Sequence, residues 1–83
     1  MNNISVLLVE DDDQQRALIE SILQSEQLNV FSAASVEEAI LCLKKHSVDV
    51  VFSDWKLGQL SGIDLLNYVR KNLPQLGFAI ATA

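Results

Sequence analysis

Five of the eleven acidic residues stand directly behind apolar runs. Glu10, Asp11, Asp12 and Asp13 are consecutive and follow Val6-Leu7-Leu8-Val9, and Asp54 follows Val50-Val51-Phe52-Ser53. In open α/β sheets, ligands sit beyond the carboxyl ends of the strands, at the point where strand order reverses. Adjacent strands are about 4.8 Å apart, so if the first and third strands are neighbours, Glu10, Asp11 and Asp54 converge on one small volume. Like charges that close raise each other's pKa unless a cation joins them. An all-oxygen, water-accessible cluster suits a hard divalent cation, above all Mg²⁺ held by one or two carboxylates and several waters. A carboxylate beside such an ion is also a nucleophile toward phosphorus and can form an acyl phosphate, with the metal neutralising charge on the transferring group. Asp54, alone at its strand end, is the candidate nucleophile. Glu10 and Asp11 are the pair placed to hold a metal, and Thr82, at the end of a later strand, offers a hydroxyl to a phosphoryl oxygen.

Each of these residues also has a structural reading. Asp12 and Asp13 precede a helical stripe and suit its N-cap and first turn. Thr82 taken alone is a strand residue, and Trp55 a packing aromatic. His46 fits a cation at a helix C-terminus, Cys42 a small residue on or beside an apolar helix face, and Lys44-Lys45 a solvated face.

The elements that must position the carboxylates follow from pattern. Ile4–Val9 is aliphatic without alternation, as in a parallel strand covered on both faces. From about Asp13 to Ser25, Leu18, Ile19, Ile22 and Leu23 recur at spacings of three and four, which predicts an amphipathic helix. Leu28–Ala33 reads as a second strand. Ser35-Val36-Glu37-Glu38 is an S-x-x-E capping box opening a helix with Val36, Ala39, Ile40 and Leu43 on one face. Val48–Ser53 reads as the third strand and Gly58–Gly62 as a loop. A third helix carries Ile63, Leu66, Tyr68, Val69 and Leu73 and stops at Pro74, and Phe78–Thr82 reads as a fourth strand. The order βαβαβαβ predicts a parallel sheet with helices on both faces and right-handed crossovers. A helix would ordinarily cover the fourth strand, so the 83 residues read as part of a larger domain.

The net charge is −5, from eleven acids and six bases. Removing the five strand-end carboxylates leaves six against six, so the excess charge belongs to the candidate site. That balance has the wrong sign for binding a phosphate backbone, so no nucleic-acid contact is expected of this segment. Hydrophobic residues make up 49% and charged residues 20%, with three Gly and one Pro, a core-forming composition. A single cysteine excludes an intrachain disulfide. No apolar stretch reaches the roughly 18 residues of a membrane span, and Met1-Asn2-Asn3 lacks the basic start of a signal peptide, so a cytoplasmic protein away from membranes is the expectation.

With these residues placed, the sequence resembles the receiver domain of bacterial two-component response regulators, the CheY-like family. Val6–Asp12 with Arg16 following is similar to the family's first strand and acidic pair. Asp54–Gly62, with its glycine eight residues on, is similar to the phosphoacceptor strand end and loop, and Ile80–Ala83 to the fourth strand with its switch hydroxyl. Gly58 stands where the family usually has Pro.

The resemblance implies a flavodoxin-like, doubly wound α/β sheet, here with about four strands and three helices. Residues 1–83 would form the N-terminal two-thirds of a receiver domain, without the family's later lysine. It implies that Asp54 accepts a phosphoryl group from a phosphohistidine of a sensor histidine kinase. Glu10, Asp11 and Asp54 would hold Mg²⁺ together with the main-chain carbonyl of Lys56, and Thr82 would act as the switch. Arg16 lies six residues past Glu10, as in many relatives, which favours the Glu10/Asp11 register over Asp11/Asp12. The implied role is a switch controlling an output, transcription by family frequency, rather than a conventional enzyme. The alternative is a phosphorylation-independent pseudo-receiver serving as an interaction module. A phosphatase of the haloacid type fits poorly, because position 56 is Lys where a second Asp is wanted, and no G-x-G-x-x-G follows the first strand to bind a dinucleotide. An uncovered last strand predicts self-association.

Overall fold

In the computed structural model, which describes residues 3–57 and 60–81, the chain runs β1 (Ser5–Val9), α1 (Asp13–Ser25), β2 (Asn29–Ala33), α2 (Val36–Lys45), β3 (Val50–Asp54), β4 (Lys56–Leu57), β5 (Leu60–Ser61), α3 (Gly62–Asn72) and β6 (Gly77–Ala81). The four apolar runs form one parallel sheet in the order β2-β1-β3-β6. This is the 2-1-3-4 strand order of a flavodoxin-like sheet. The chain leaves β1 toward β2 on one side and returns to β3 on the other, so strand order reverses between β1 and β3.

Alternation along the strands divides the interior. Leu7, Val9, Ala33 and Val51 pack with Val36 and Ala39 of α2 and with Leu65 and Val69 of α3. Val6 and Leu8, at the intervening positions of β1, are also buried, on the face where α1 lies against β2 and β1. Both faces of β1 are therefore covered, which accounts for its unbroken aliphatic sequence.

The amphipathic readings of α1 and α3 need correction. Leu18 and Ile22 of the α1 stripe are 62% and 53% exposed, while Ile19 and Leu23 are half-buried, because α1 packs chiefly against β2 and β1 and only one flank of the stripe faces them. Of the stripe read for α3, Val69 is buried but Ile63 and the C-cap residue Leu73 are exposed, and the other buried positions are Gly62 and Leu65, which lie outside that stripe. The helix is rotated so that Gly62, and not Ile63, meets the sheet. The α2 capping box closes on one side only. Ser35 Oγ accepts the Glu38 N–H at 3.1 Å, but the Glu38 carboxylate takes the N–H of Ala34.

The strand limits shift slightly. β3 starts at Val50 and ends at Asp54, since Asp49 bonds Ser5 through both its backbone N–H and its carboxylate before the ladder begins. The expected loop after Asp54 contains a short antiparallel pair, Lys56 with Ser61 and Leu57 with Leu60. Its end is the N-cap of α3, where Ser61 and Asp64 form a reciprocal capping box. Thr82 lies outside the described residues.

Candidate metal centre at the strand switch point

The site begins with register. β1 pairs with β3 so that Val9 stands opposite Ser53, which places Glu10 and Asp54 side by side one residue further on. Glu10 is held to β2 by its backbone N–H, which donates to the Ala33 carbonyl at 3.0 Å. Its side chain is buried, with 4% exposure. Asp54 closes β3 and pairs with Ala81 of β6.

One carboxylate oxygen from each of Glu10, Asp11 and Asp54 lies within 4.8 Å of the others. The three residues picked from sequence thus converge, Glu10 buried, Asp11 exposed and Asp54 half-buried. Burial raises the pKa of Glu10, the Asp12 N–H bonded to its carboxylate lowers it, and the charges of Asp54 and Asp11 raise it further. Three carboxylate donors that repel one another in a partly solvated mouth are the donor set a hard divalent cation relieves, so the residues present fit Mg²⁺.

Asp12 has a different occupation. Its carboxylate accepts the Gln15 N–H at 2.9 Å and N-caps α1, and its own N–H donates to the Glu10 carboxylate at 3.0 Å. Asp13 lies in the first helical turn and pairs with Arg16 at 2.6 Å. Asp12, the ligand of the alternative register, lies outside the three-carboxylate group, with its Oδ1 engaged as the N-cap of α1.

Asp54 is tied to its surroundings on both sides. Its Oδ1 accepts the N–H of Trp55 at 2.8 Å, and the same N–H reaches the Ala81 carbonyl at 3.1 Å. The Asp54 carbonyl accepts the hydroxyl of Ser53 at 2.9 Å, and the Trp55 carbonyl accepts the Gly62 N–H at 2.8 Å. Trp55 is 42% exposed beside the acid. The Lys56 backbone opens the β4–β5 pair directly after this network.

Arg16 and Gly62, which the sequence marks only by their spacing from Glu10 and Asp54, have contacts that spacing did not show: Arg16 donates to the Glu10 carbonyl at 2.9 Å as well as to Asp13, and Gly62 lets α3 approach the Asp54 backbone. The S-x-x-D spacing Ser61–Asp64 was a usable signal for the start of α3. Nothing local marks Arg16 as a donor to a carbonyl six residues back.

A sequence model of the response regulator receiver domain family matches residues 6–83. Among curated proteins, the chain is 34% identical over 83 residues to the response regulator protein PilR of Pseudomonas aeruginosa, covering all of this chain and 19% of that protein. It is 38% identical over 65 residues to the cell cycle transcriptional regulator CtrA of Caulobacter vibrioides, covering 78% of this chain and 28% of that one. Among solved structures, it superposes on a response regulator receiver domain protein of Clostridium thermocellum with a TM-score of 0.91 and 28% identity, over 95% of this chain and 64% of that one. The response regulator TrrA of Thermotoga maritima, solved in complex with Mg²⁺-BeF, gives a TM-score of 0.92 at 26% identity over 96% and 70%. The chain therefore spans 19% and 28% of these two curated relatives and about two-thirds of these solved chains.

Proposed function

The chain belongs to the response regulator receiver domain family, and on that premise we propose that it is a phosphoacceptor whose acceptor is Asp54. The observation that carries this is the convergence of Asp54 with Glu10 and Asp11 at the strand switch point. An Asp54 carboxylate oxygen attacks the phosphorus of a phosphohistidine on a sensor histidine kinase. The new O–P bond forms as the N–P bond breaks, and the departing imidazole nitrogen takes up a proton.

Glu10, Asp11, Asp54 and the main-chain carbonyl of Lys56 are the proposed ligands of Mg²⁺. Bound there, Mg²⁺ neutralises charge on the transferring group. Glu10 and Asp11 keep their carboxylates aimed at the mouth beside Asp54, and the Trp55 N–H holds one Asp54 oxygen in a defined direction. Thr82, one residue past Ala81, is proposed as the hydroxyl that responds to the phosphoryl group. The likeness to TrrA, itself solved with Mg²⁺-BeF, supports the metal. The likeness to CtrA supports transcription as the output. A protein of this kind is a cytoplasmic regulatory switch rather than a conventional enzyme, and no described helix is long and apolar enough to cross a membrane.

The cluster favours this reading over a phosphorylation-independent module, which has no use for three converging carboxylates. Treating the chain with a small phosphodonor and Mg²⁺ is expected to add the mass of one phosphoryl group, absent in Asp54→Ala. Equal gain by the variant, or none by the wild type, refutes the assignment. Association with a second copy belongs to the same proposal. The exposed Leu18 and Ile22 and the uncharged edge strand β6 support it, and a monomer by light scattering at high concentration counts against it.

A further inference from the structure

The acidic turn between β1 and α1 is bridged by a single side chain. Arg16 sits one turn into α1, where its backbone N–H donates to the Asp12 carbonyl at 2.9 Å. Side chains on a helix lean toward its N-terminus, so the guanidinium lies back over the turn. There its two terminal nitrogens separate. Nη1 donates to the Glu10 carbonyl at 2.9 Å and Nη2 to the Asp13 carboxylate at 2.6 Å. The first acceptor belongs to the residue leaving β1 and the second to the first turn of α1, so both ends of the segment carrying Asp11 are held by one rigid fork.

The turn has reason to need holding. Glu10 and Asp11 face Asp54 with like charge, and repulsion between them favours any motion that spreads the segment outward. The Glu10–Asp11 peptide is the link whose orientation aims both carboxylates, and its carbonyl is the group Arg16 grips. The Arg16 side chain is 23% exposed, against 87% for Asp13. The bond to the carbonyl therefore lies on the sheltered side of the fork, where it competes less with water.

We propose that Arg16 is a positioning residue of the Mg²⁺ site, clamping the Glu10–Asp13 turn so that the Glu10 and Asp11 carboxylates stay directed at the cation beside Asp54. This rests on the Mg²⁺ reading given above. A clamp and a bare charge make opposite predictions. Removing a nearby positive charge favours a divalent cation by Coulomb's law, whereas removing a clamp weakens its binding.

The test is a Mg²⁺ titration of the 83-residue chain by calorimetry, for wild type, Arg16→Met and Arg16→Lys, with thermal unfolding of each measured without metal. Wild type is expected to bind. Arg16→Met is expected to bind about tenfold more weakly, at the low end of what partners that orient metal ligands contribute. Arg16→Lys, which keeps the charge but cannot span both acceptors, is expected to fall between them. Equal or tighter binding by folded Arg16→Met overturns the clamp and leaves the Mg²⁺ reading standing. Should Arg16→Met not fold, Arg16→Lys decides, and affinity equal to wild type overturns the proposal. A folded wild type that binds no Mg²⁺ overturns both readings together.

Discussion

Gly62 and Asp54 are in backbone contact: a Cβ added to Gly62 would stand 2.6 Å from the Asp54 carbonyl oxygen and 3.4 Å from the Ser53 hydroxyl. No real Cβ tolerates the first distance, and neither the carbonyl of an internal strand nor the first turn of α3 yields easily. Gly62→Ala is therefore expected to cost about 2–3 kcal/mol, at the upper end of overpacking penalties, and to displace the Asp54 backbone. Gly77→Ala meets the Asp49 carbonyl and the Val50 side chain at 3.3 Å and is expected to cost about 1 kcal/mol or less. Urea unfolding of the two variants checks the contrast.

Asp11 and Asp12 are neighbours in sequence with separate duties. Asp12→Asn keeps an equally good N-cap and is expected to leave both stability and Mg²⁺ affinity near wild type. Asp12→Ala should cost about 1 kcal/mol of stability through the lost cap. Asp11→Asn is expected to abolish most Mg²⁺ binding with little loss of stability. Calorimetric titration and thermal unfolding of the three variants separate the roles, and Mg²⁺ binding lost in Asp12→Asn would reverse the register.

Glu10 makes stability depend on pH in an unusual direction. Its folded pKa is raised, by burial first and then by Asp54 and Asp11, so the folded chain holds this proton more tightly than the unfolded chain. Stability from this group is full below the unfolded value of 4.5 and is lost as pH rises through the raised folded pKa. Without metal, Glu10→Gln is thus expected to raise Tm at neutral pH. The gain should vanish at pH 4, and adding Mg²⁺ should stabilise wild type and not the variant.

Gln27 takes a left-handed conformation, φ 64°, just past α1. Its N–H bonds the Gln24 carbonyl, and the Leu28 N–H bonds that of Leu23, the Schellman pattern in which glycine is favoured. Gln27→Gly is expected to stabilise the chain by about 0.5–1 kcal/mol, read as a shifted urea midpoint with unchanged slope.

Leu65 is fully buried between α3 and the sheet, whereas Leu18 is 62% exposed. Leu65→Ala is expected to cost about 3–4 kcal/mol and Leu18→Ala under about 1, although Leu18 belongs to the apolar stripe read from sequence and Leu65 lies outside the stripe read for its helix. Denaturant unfolding of the pair is the check.

The four sheet strands, the three helices and the acids at the strand ends were legible in the amino-acid sequence, because those depend on local patterns, whereas the short β4–β5 pair was not. Aliphatic runs, capping residues and three-to-four spacing act within a few positions, and Glu10, Asp11 and Asp54 were legible as breaks from apolar to acidic. That β1 and β3 are neighbours, which brings residues 44 apart into one cluster, emerges at the level of packing, since strand order is a matter of how whole layers meet. Packing also decides which apolar residues of each helix are buried. Leu18 and Leu65 have equally apolar side chains, and their difference comes from what lies opposite them. The same holds for Arg16 and Gly62. One grips a carbonyl and the other makes room for one, and neither the donor fork nor the missing Cβ has a purpose until a particular backbone arrives beside it.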